Sequence, residues 1–335
     1  MVRVSVIIPV CNAERHFRAA LDSVLAQTLK EIEIICIDDG STDASGAILA
    51  DFAARDGRIR ALRQANAGQG PARNRGLEAA TGECVYFMDA DDALASPHAL
   101  SQLAETMDAN RADVLFFDAQ TRADDGVKVD ESVVRASDYV RTHEYPGVCT
   151  GRELLAAFLR NREFCASPCL MMLRRRFVEE NRLRFPEARI FHEDNVFMTR
   201  VLLAAGRACH RPWQLYLRKV HAGSTVTSKP TLRHLRGYLA CYRDMCGLLA
   251  QEGWDRRTRA ALVDRRVIYK LHVRRLAEAH PELVDEMRRE AAAEHAELAA
   301  VLVYPPWEKA VNALRCLRDR GLAFTVRRIL FGRQR

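Results

Sequence analysis

Ile32-Glu-Ile-Ile-Cys-Ile-Asp-Asp-Gly-Ser-Thr-Asp43 is the stretch that decides the fold class. Its first half is a short β-branched run with no helical period, and its second half turns abruptly into carboxylates, Gly and Ser/Thr. That combination predicts a strand buried on both faces and a turn, with a helix following through Phe52. Upstream, Val4-Ser-Val-Ile-Ile-Pro-Val10 has the same character and ends in Cys11-Asn12. A helical stretch from Glu14 to Gln27 follows, with Phe17, Leu21, Val24 and Leu25 on one face. Downstream come a short strand (Ile59–Leu62), a helix (Gly70–Ala80) and a fourth apolar run, Cys84-Val-Tyr-Phe-Met88, ending in Asp89-Ala-Asp91-Asp92. A further helix, 98–109, leads to Val114-Leu-Phe-Phe117. Alternating apolar runs and amphipathic helices predict an α/β domain with a mainly parallel sheet.

Beyond residue 120 the pattern is mixed, with helices expected at 151–163 and 194–205 and a long polar loop from Val129 to Gly147. After Pro230 only helical periodicity remains, as in Leu262, Val263, Val267, Ile268 and Leu271. Pro305-Pro306 sets off a last group of basic helices. The chain has 335 residues and a net charge of +7, but the charge is divided. Residues 1–120 carry 11 basic and 18 acidic side chains, and the rest carry 40 and 26. An acidic first third without a recognition motif argues against nucleic acid as the partner. The 10 cysteines include no C-x-x-C pair, and several sit in apolar runs; with no signal peptide this predicts a reducing, cytoplasmic setting. No apolar stretch approaches the roughly 20 residues that span a bilayer.

In an open parallel sheet, ligands bind beyond the carboxyl ends of the strands. Two of those ends carry clustered carboxylates here, Asp38-Asp39 and Asp89-x-Asp91-Asp92. Single Asp residues open turns and cap helices, as expected for Asp43 and Asp92. Two clusters at neighbouring strand ends instead call for a neutralising partner. Mg²⁺ or Mn²⁺ with phosphate oxygens is the chemistry that fits. Between the clusters, Asn66-Ala-Gly68-Gln-Gly70-Pro71-Ala-Arg73-Asn74-Arg75-Gly76 offers glycines for close approach and Arg73 and Arg75 for phosphate charge. It is neither a dinucleotide fingerprint nor a P-loop.

Taken in order, these segments resemble the inverting family 2 glycosyltransferases with a GT-A fold. The resemblance rests on Val4–Glu14, Ile37–Asp43, Asn66-x-Gly68 with Ala72-Arg73-Asn74, and Asp89-Ala-Asp91-Asp92. It continues through Phe191-His-Glu-Asp194 and Tyr216-x-Arg218-x-x-His221-x-Gly223-Ser224, so it spans residues 2 to about 228. It implies a GT-A nucleotide-diphospho-sugar transferase domain followed by an all-helical region. The halves expected are 1–118 for the nucleotide sugar and 119–229 for acceptor and catalysis, with a basic helical region at 230–335. It further implies that Pro9, Asn12, Glu14, Asp38 and Asp39 hold the nucleoside, with Asn66 and Gly68 alongside and Asp39 at the base edge. Arg73 would meet the base or diphosphate, Asp89 the ribose and sugar, and Arg218 the diphosphate. Asp91 would bind the divalent metal, with His221 as a further ligand, and Asp194 would be the general base. Glu193 is read as a residue that caps or orients the helix after it, and His192 as a helix-start residue. The family usually has Tyr-Asn where this chain has Cys11-Asn12, so a ring that can stack on the base is absent there.

The implied activity is inverting transfer of a sugar, from a UDP-sugar, to a hydroxyl of a glycan or lipid-linked oligosaccharide in surface-polysaccharide synthesis. A sugar nucleotidyltransferase would need a Gly-rich, basic loop after the first strand. A phosphatase of this class would need a nucleophilic Asp there, and a non-catalytic nucleotide-sugar scaffold has no use for both Asp91 and Asp194. The terminal segments Arg315–Arg320 and Val326–Arg333 interleave Arg with apolar groups. They suit either a helical cap on the catalytic domain or peripheral contact with an anionic inner-membrane surface.

Overall fold

The computed structural model describes residues 1–123, 139–145, 147–221 and 229–303. Two compact units divide the chain, Met1–Val267 and Ile268–Arg335. The first holds one eight-stranded sheet. Its opening half runs β1 (Val4–Val10), α1 (Phe17–Leu25), β2 (Ile32–Asp39), α2 (Ser45–Arg55), β3 (Ile59–Gln64), α3 (Gln69–Ala79) and β4 (Cys84–Phe87). Then follow β5 (Ala93–Leu94), α4 (Ala99–Ala109), β6 (Val114–Ala123), α5 (Gly151–Asn161), β7 (Met171–Arg174), α6 (Arg175–Glu180), α7 (Glu193–Ala204) and β8 (Ala208–Val220). The helical part comprises α8 (Leu232–Ala250), α9 (Arg256–Ala279), α10 (Pro281–Glu290) and α11 (Ala292–Leu302).

Sheet order is β3-β2-β1-β4-β7-β6-β8-β5. The pairs β3–β2, β2–β1, β1–β4 and β6–β8 are parallel, and β7 and β5 pair antiparallel to their neighbours. Every residue of β1, β2 and β4 is buried, as expected of parallel strands covered on both faces. On one face α1 buries Phe17, Ala20, Leu21 and Val24. On the other, Gly76 lets α3 lie directly against the sheet, because a Cβ there would stand 2.3 Å from an Ile7 methyl.

The chain order reverses direction between β1 and β4. The β1–β4 pairing ends at Ile7↔Phe87, with the Met88 N–H donating to the Ile7 carbonyl at 3.0 Å. Pro9 faces the same side two residues on and has no N–H to continue the ladder. That combination ends the β1–β4 pairing at the switch point, the usual ligand position in such sheets.

Three expectations change at the level of elements. Helix α1 begins at Phe17 rather than Glu14, because the Glu14 carboxylate is used elsewhere: its Oε2 accepts from Ala44 N (3.0 Å) at the start of α2. Asp92 caps no helix. It enters the two-residue strand β5 and accepts from Tyr216 and Lys219 of the paired β8. The 13 residues of β8 read as mixed in sequence because its exposed and buried positions do not alternate evenly. Most of the 129–147 loop, Gly223-Ser224 and the basic segments 315–320 and 326–333 lie outside the described residues. In the second unit α10 and α11 pack on each other, burying Leu283, Met287, Leu298 and Val301.

Candidate active site

Asp38 and Asp39 close β2, and backbone N–H groups answer both. The Asp38 carboxylate accepts from Ser41 N at 2.8 Å. Asp39 accepts from Gln64 Nε2, Ala67 N and Gly68 N, each at 2.8 Å. Gly40 (φ 72°) and Gly68 (φ 99°) supply the left-handed backbone that brings these N–H groups round. A Cβ on Gly40 would meet Asn66 N at 2.9 Å. The β1 end joins this network. Asn12, itself at φ 51°, accepts from Thr42 N at 2.9 Å through Oδ1, and Asn66 Nδ2 donates to Cys11 Sγ at 3.1 Å. So Pro9, Asn12, Glu14, Asp38, Asp39, Asn66 and Gly68 come together at one pair of strand ends, as a braced set of turns.

The second cluster differs. Oxygens of Asp89, Asp91 and Asp92 lie within 4.8 Å of one another. Tyr216 donates to Asp92 Oδ2 at 2.7 Å and accepts from Asp89 N at 3.3 Å, which fixes the turn. Lys219 N donates to Asp92 Oδ1 at 2.7 Å. His221 Nε2 sits 2.9 Å from Asp91 Oδ2, and its ring stacks on His16 with centroids 4.4 Å apart. Burial, reinforced by the Asp91 and Asp89 charges, raises the Asp92 pKa well above the usual carboxylate range. Three converging carboxylates, one of them paired with an imidazole, are the donor set of a hard divalent cation, so these residues fit Mg²⁺ or Mn²⁺.

Arg73 ties this cluster to the first turn of α7. Its guanidinium is nearly fully buried and donates through Nη2 to Asp89 (2.9 Å) and through Nη1 to Glu193 (2.8 Å). Burial alone would lower its pKa, but the two carboxylates outweigh that and hold the charge. One N–H of each Nη group is thus committed to a protein carboxylate. Arg75 points elsewhere, donating to the Arg63 carbonyl. Glu193 is therefore more than the helix-orienting residue expected. It is the buried partner of an arginine 120 positions earlier in the chain. Its one visible signal was its place in an acidic helix start beside Asp194.

Asp194 lines a cleft of about 550 Å³ together with Asp89, Asp91, Asp92, Arg218 and His234. Arg218 lies over the Tyr139 ring, 4.3 Å from its centroid. Burial pushes the Asp194 carboxyl up to about 7; Glu193 adds to the shift, and Arg73 and the Asn195 donors oppose it. His192, before α7, holds a left-handed conformation (φ 66°), unusual for a side-chain-bearing residue. Its ring stacks on Tyr238 of α8 at 4.0 Å. Helix α8 approaches closely because Gly237 is bare: a Cβ there would lie 1.9 Å from the Phe191 carbonyl. The sequence offered no sign that Tyr238, His234 and Gly237 would shape the site.

A family model described as glycosyl transferase family 2 matches residues 5–182, over half of the chain. The chain belongs to this family. A curated relative, the uncharacterized glycosyltransferase YibD of Escherichia coli, is 35% identical over 219 residues, 65% of this chain and 62% of that protein. The chain spans between 32% and 62% of the length of the first curated relatives it matches. Among solved structures, S. aureus TarS 1–349 in complex with UDP-GlcNAc superposes with a TM-score of 0.66 at 20% identity, covering 97% of this chain and 89% of that one. The mannosyltransferase PcManGT from Pyrobaculum calidifontis, in complex with GDP-Man and Mn²⁺, gives 0.56 at 16%, covering 99% and 88%. These likenesses establish the GT-A fold, with its mostly parallel sheet and C-terminal helices. Among the described residues no helix is long and apolar enough to cross a membrane.

Proposed function

We propose that this chain transfers a sugar, with inversion, from a nucleoside-diphosphate donor to a hydroxyl of a glycan or lipid-linked acceptor in surface-polysaccharide synthesis. The observation that carries the reading is one cleft holding both a three-carboxylate cluster and a separate carboxylate, Asp194, whose pKa burial raises. A UDP-sugar is the donor we favour. TarS supports this through its UDP-GlcNAc complex, and PcManGT supports nucleotide-sugar binding with Mn²⁺ on this fold.

In this reading the nucleoside lies against the braced turns of Pro9, Asn12, Glu14, Asp38 and Asp39, with Asn66 and Gly68 beside it. Asp91 and His221 would hold a divalent cation, which when bound offsets negative charge on the diphosphate. Arg218 adds a second positive charge there, and Asp89, fixed by Arg73, faces the ribose and sugar. The acceptor oxygen bonds to the anomeric carbon as the bond from that carbon to the diphosphate oxygen breaks, its electron pair leaving with the nucleotide. Asp194 takes the hydroxyl proton. A poor nucleophile needs such a base, and a base works best with a pKa near the working pH. One displacement inverts the anomeric centre. We place the reaction on the cytoplasmic side, with the basic terminal segment as the candidate contact to an anionic membrane.

Asp194→Asn keeps the shape and removes the proton acceptor. Turnover is expected to fall by about 10²–10⁴, with Mn²⁺-dependent UDP binding retained in calorimetry. Near-normal turnover would remove Asp194 from this role. A screen of nucleotide sugars against lipid-linked acceptors then assigns donor and acceptor.

A further inference from the structure

Beyond the matched family segment, α9 reaches the first turn of α7 through one buried side chain. Arg265 is 5% exposed, and its guanidinium carbon lies over the Phe164 ring, 3.8 Å from the centroid. Burial lowers its pKa to about 10, so it remains a cation at neutral pH. Its Nη2 donates to Asn195 Oδ1 at 2.9 Å. The other end of that amide, Nδ2, donates to Asp194 Oδ1 at 3.0 Å, and Asn195 N donates to the same oxygen at 2.8 Å. A guanidinium only donates, and an ionised carboxylate only accepts. An amide held between the two has a single satisfied orientation: oxygen toward Arg265, NH₂ toward Asp194.

We propose that Arg265 is a positioning residue for the proton-accepting step, fixing the Asn195 amide so that its NH₂ group faces and orients the Asp194 carboxylate. This rests on the reading of Asp194 as the base, and it gives the helical region after residue 230 a part in catalysis. Without Arg265 the amide loses the donor that holds its oxygen away from the carboxylate; an amide turned the other way repels the ionised form and removes one donor.

Titratable groups face Asp194 from every side. Glu193 is on its own helix, Arg73 on α3, Tyr139 before α5, Tyr238 and Cys241 on α8, and Arg265 on α9. The Asp89 cluster, Arg218 and Lys219 of β8, His192 before α7 and His234 of α8 line the same cleft. Of the basic groups, Arg73 and Arg265 reach the first turn of α7 by hydrogen bonds, to Glu193 and Asn195, while Arg218 and Lys219 line the cleft opposite. Arg73 is committed to Glu193 and Asp89, whereas Arg265 acts on Asp194 both through the amide and by its own charge.

The test is the pH profile of kcat in the full-length protein for Arg265→Met and Arg265→Lys, with UDP affinity measured in Mn²⁺. For Arg265→Met the acid limb is expected to move up by about one unit, a loss of about tenfold at pH 6.5. That loss should shrink to under about threefold at pH 9, with UDP affinity unchanged. Arg265→Lys, which keeps a donor and a charge, should recover most of the difference. A loss equal at every pH, a weakened UDP affinity, or an unmoved profile would each overturn the proposal. If Arg265→Met does not fold, Asn195→Asp gives the same readout: Arg265 keeps a partner, and the acid limb should move up further. An unmoved limb in that variant would be equally fatal. The two readings fail separately. An active Asp194→Asn removes the base, while an inactive Asp194→Asn beside unaltered Arg265 variants removes only the relay.

Discussion

Asp38 and Asp39 at the end of β2 are answered chiefly by backbone N–H groups of the loops that follow, whereas Asp89, Asp91 and Asp92 after β4 take their partners from distant elements, Arg73, His221, Tyr216 and Lys219, and keep three carboxylates within 4.8 Å of one another. The first set braces turns; the second concentrates charge at the mouth of a cleft. A cluster of Asp residues at a strand end thus has two possible resolutions. Which one applies depends on whether the following loop curls its backbone back, as Gly40 and Gly68 allow here, or runs on into another strand.

The strongest way to break this contrast is to cut what joins the open cluster to α7. Arg73→Met leaves Asp89 and Glu193 without their shared cation. Removing one partner of a buried ion pair costs about 3–5 kcal/mol, so the urea-unfolding midpoint should drop steeply and transfer should cease. A stable, active Arg73→Met would mean the two carboxylates need no tie.

Asp39→Asn probes the braced cluster. The isosteric amide cannot accept from Ala67, Gly68 and Gln64 together, and hydrogen bonds to a charged group contribute about 1.5–3 kcal/mol. Stability should fall by that order even without nucleotide. Asp91→Asn should leave stability unchanged or raised, because it relieves like-charge crowding. Equal effects of the two substitutions in the unfolding assay would erase the distinction.

The smallest effect concerns pH. With the Asp194 pKa near 7, the protonated form dominates below neutrality and cannot accept a proton. Transfer should therefore rise about tenfold per unit up to pH 7 and level off near pH 8. A profile flat from pH 5.5 to 8 would show that a different group takes the proton.

Much of this was legible in the sequence, and unevenly so. Apolar runs such as Val4–Val10 and Ile32–Ile37 declare buried parallel strands, so the first half of the sheet is readable by period alone. The four residues of β7 and the two of β5 are too short to carry a period. Both Asp clusters were visible, but their different fates were not. Two of the three donors that hold Asp39 are backbone N–H groups, which every residue but proline carries. Glu193 gained its meaning from Arg73, and Gly237 from the Phe191 carbonyl, through contacts between distant segments that no local pattern encodes. Helices α8 and α9 were predicted as helices; that they grip the turn carrying Asp194 required the fold.

The central claim is that the open cluster beyond β4 holds a cation that in turn holds the donor diphosphate. Calorimetry of UDP binding to the wild type and to Asp91→Asn, each with and without Mn²⁺, tests it most directly. The account predicts that Mn²⁺ strengthens UDP binding to the wild type and does nothing for Asp91→Asn, with both proteins equally folded. UDP binding that ignores Mn²⁺ in the wild type, or an undiminished Mn²⁺ effect in Asp91→Asn, would contradict it.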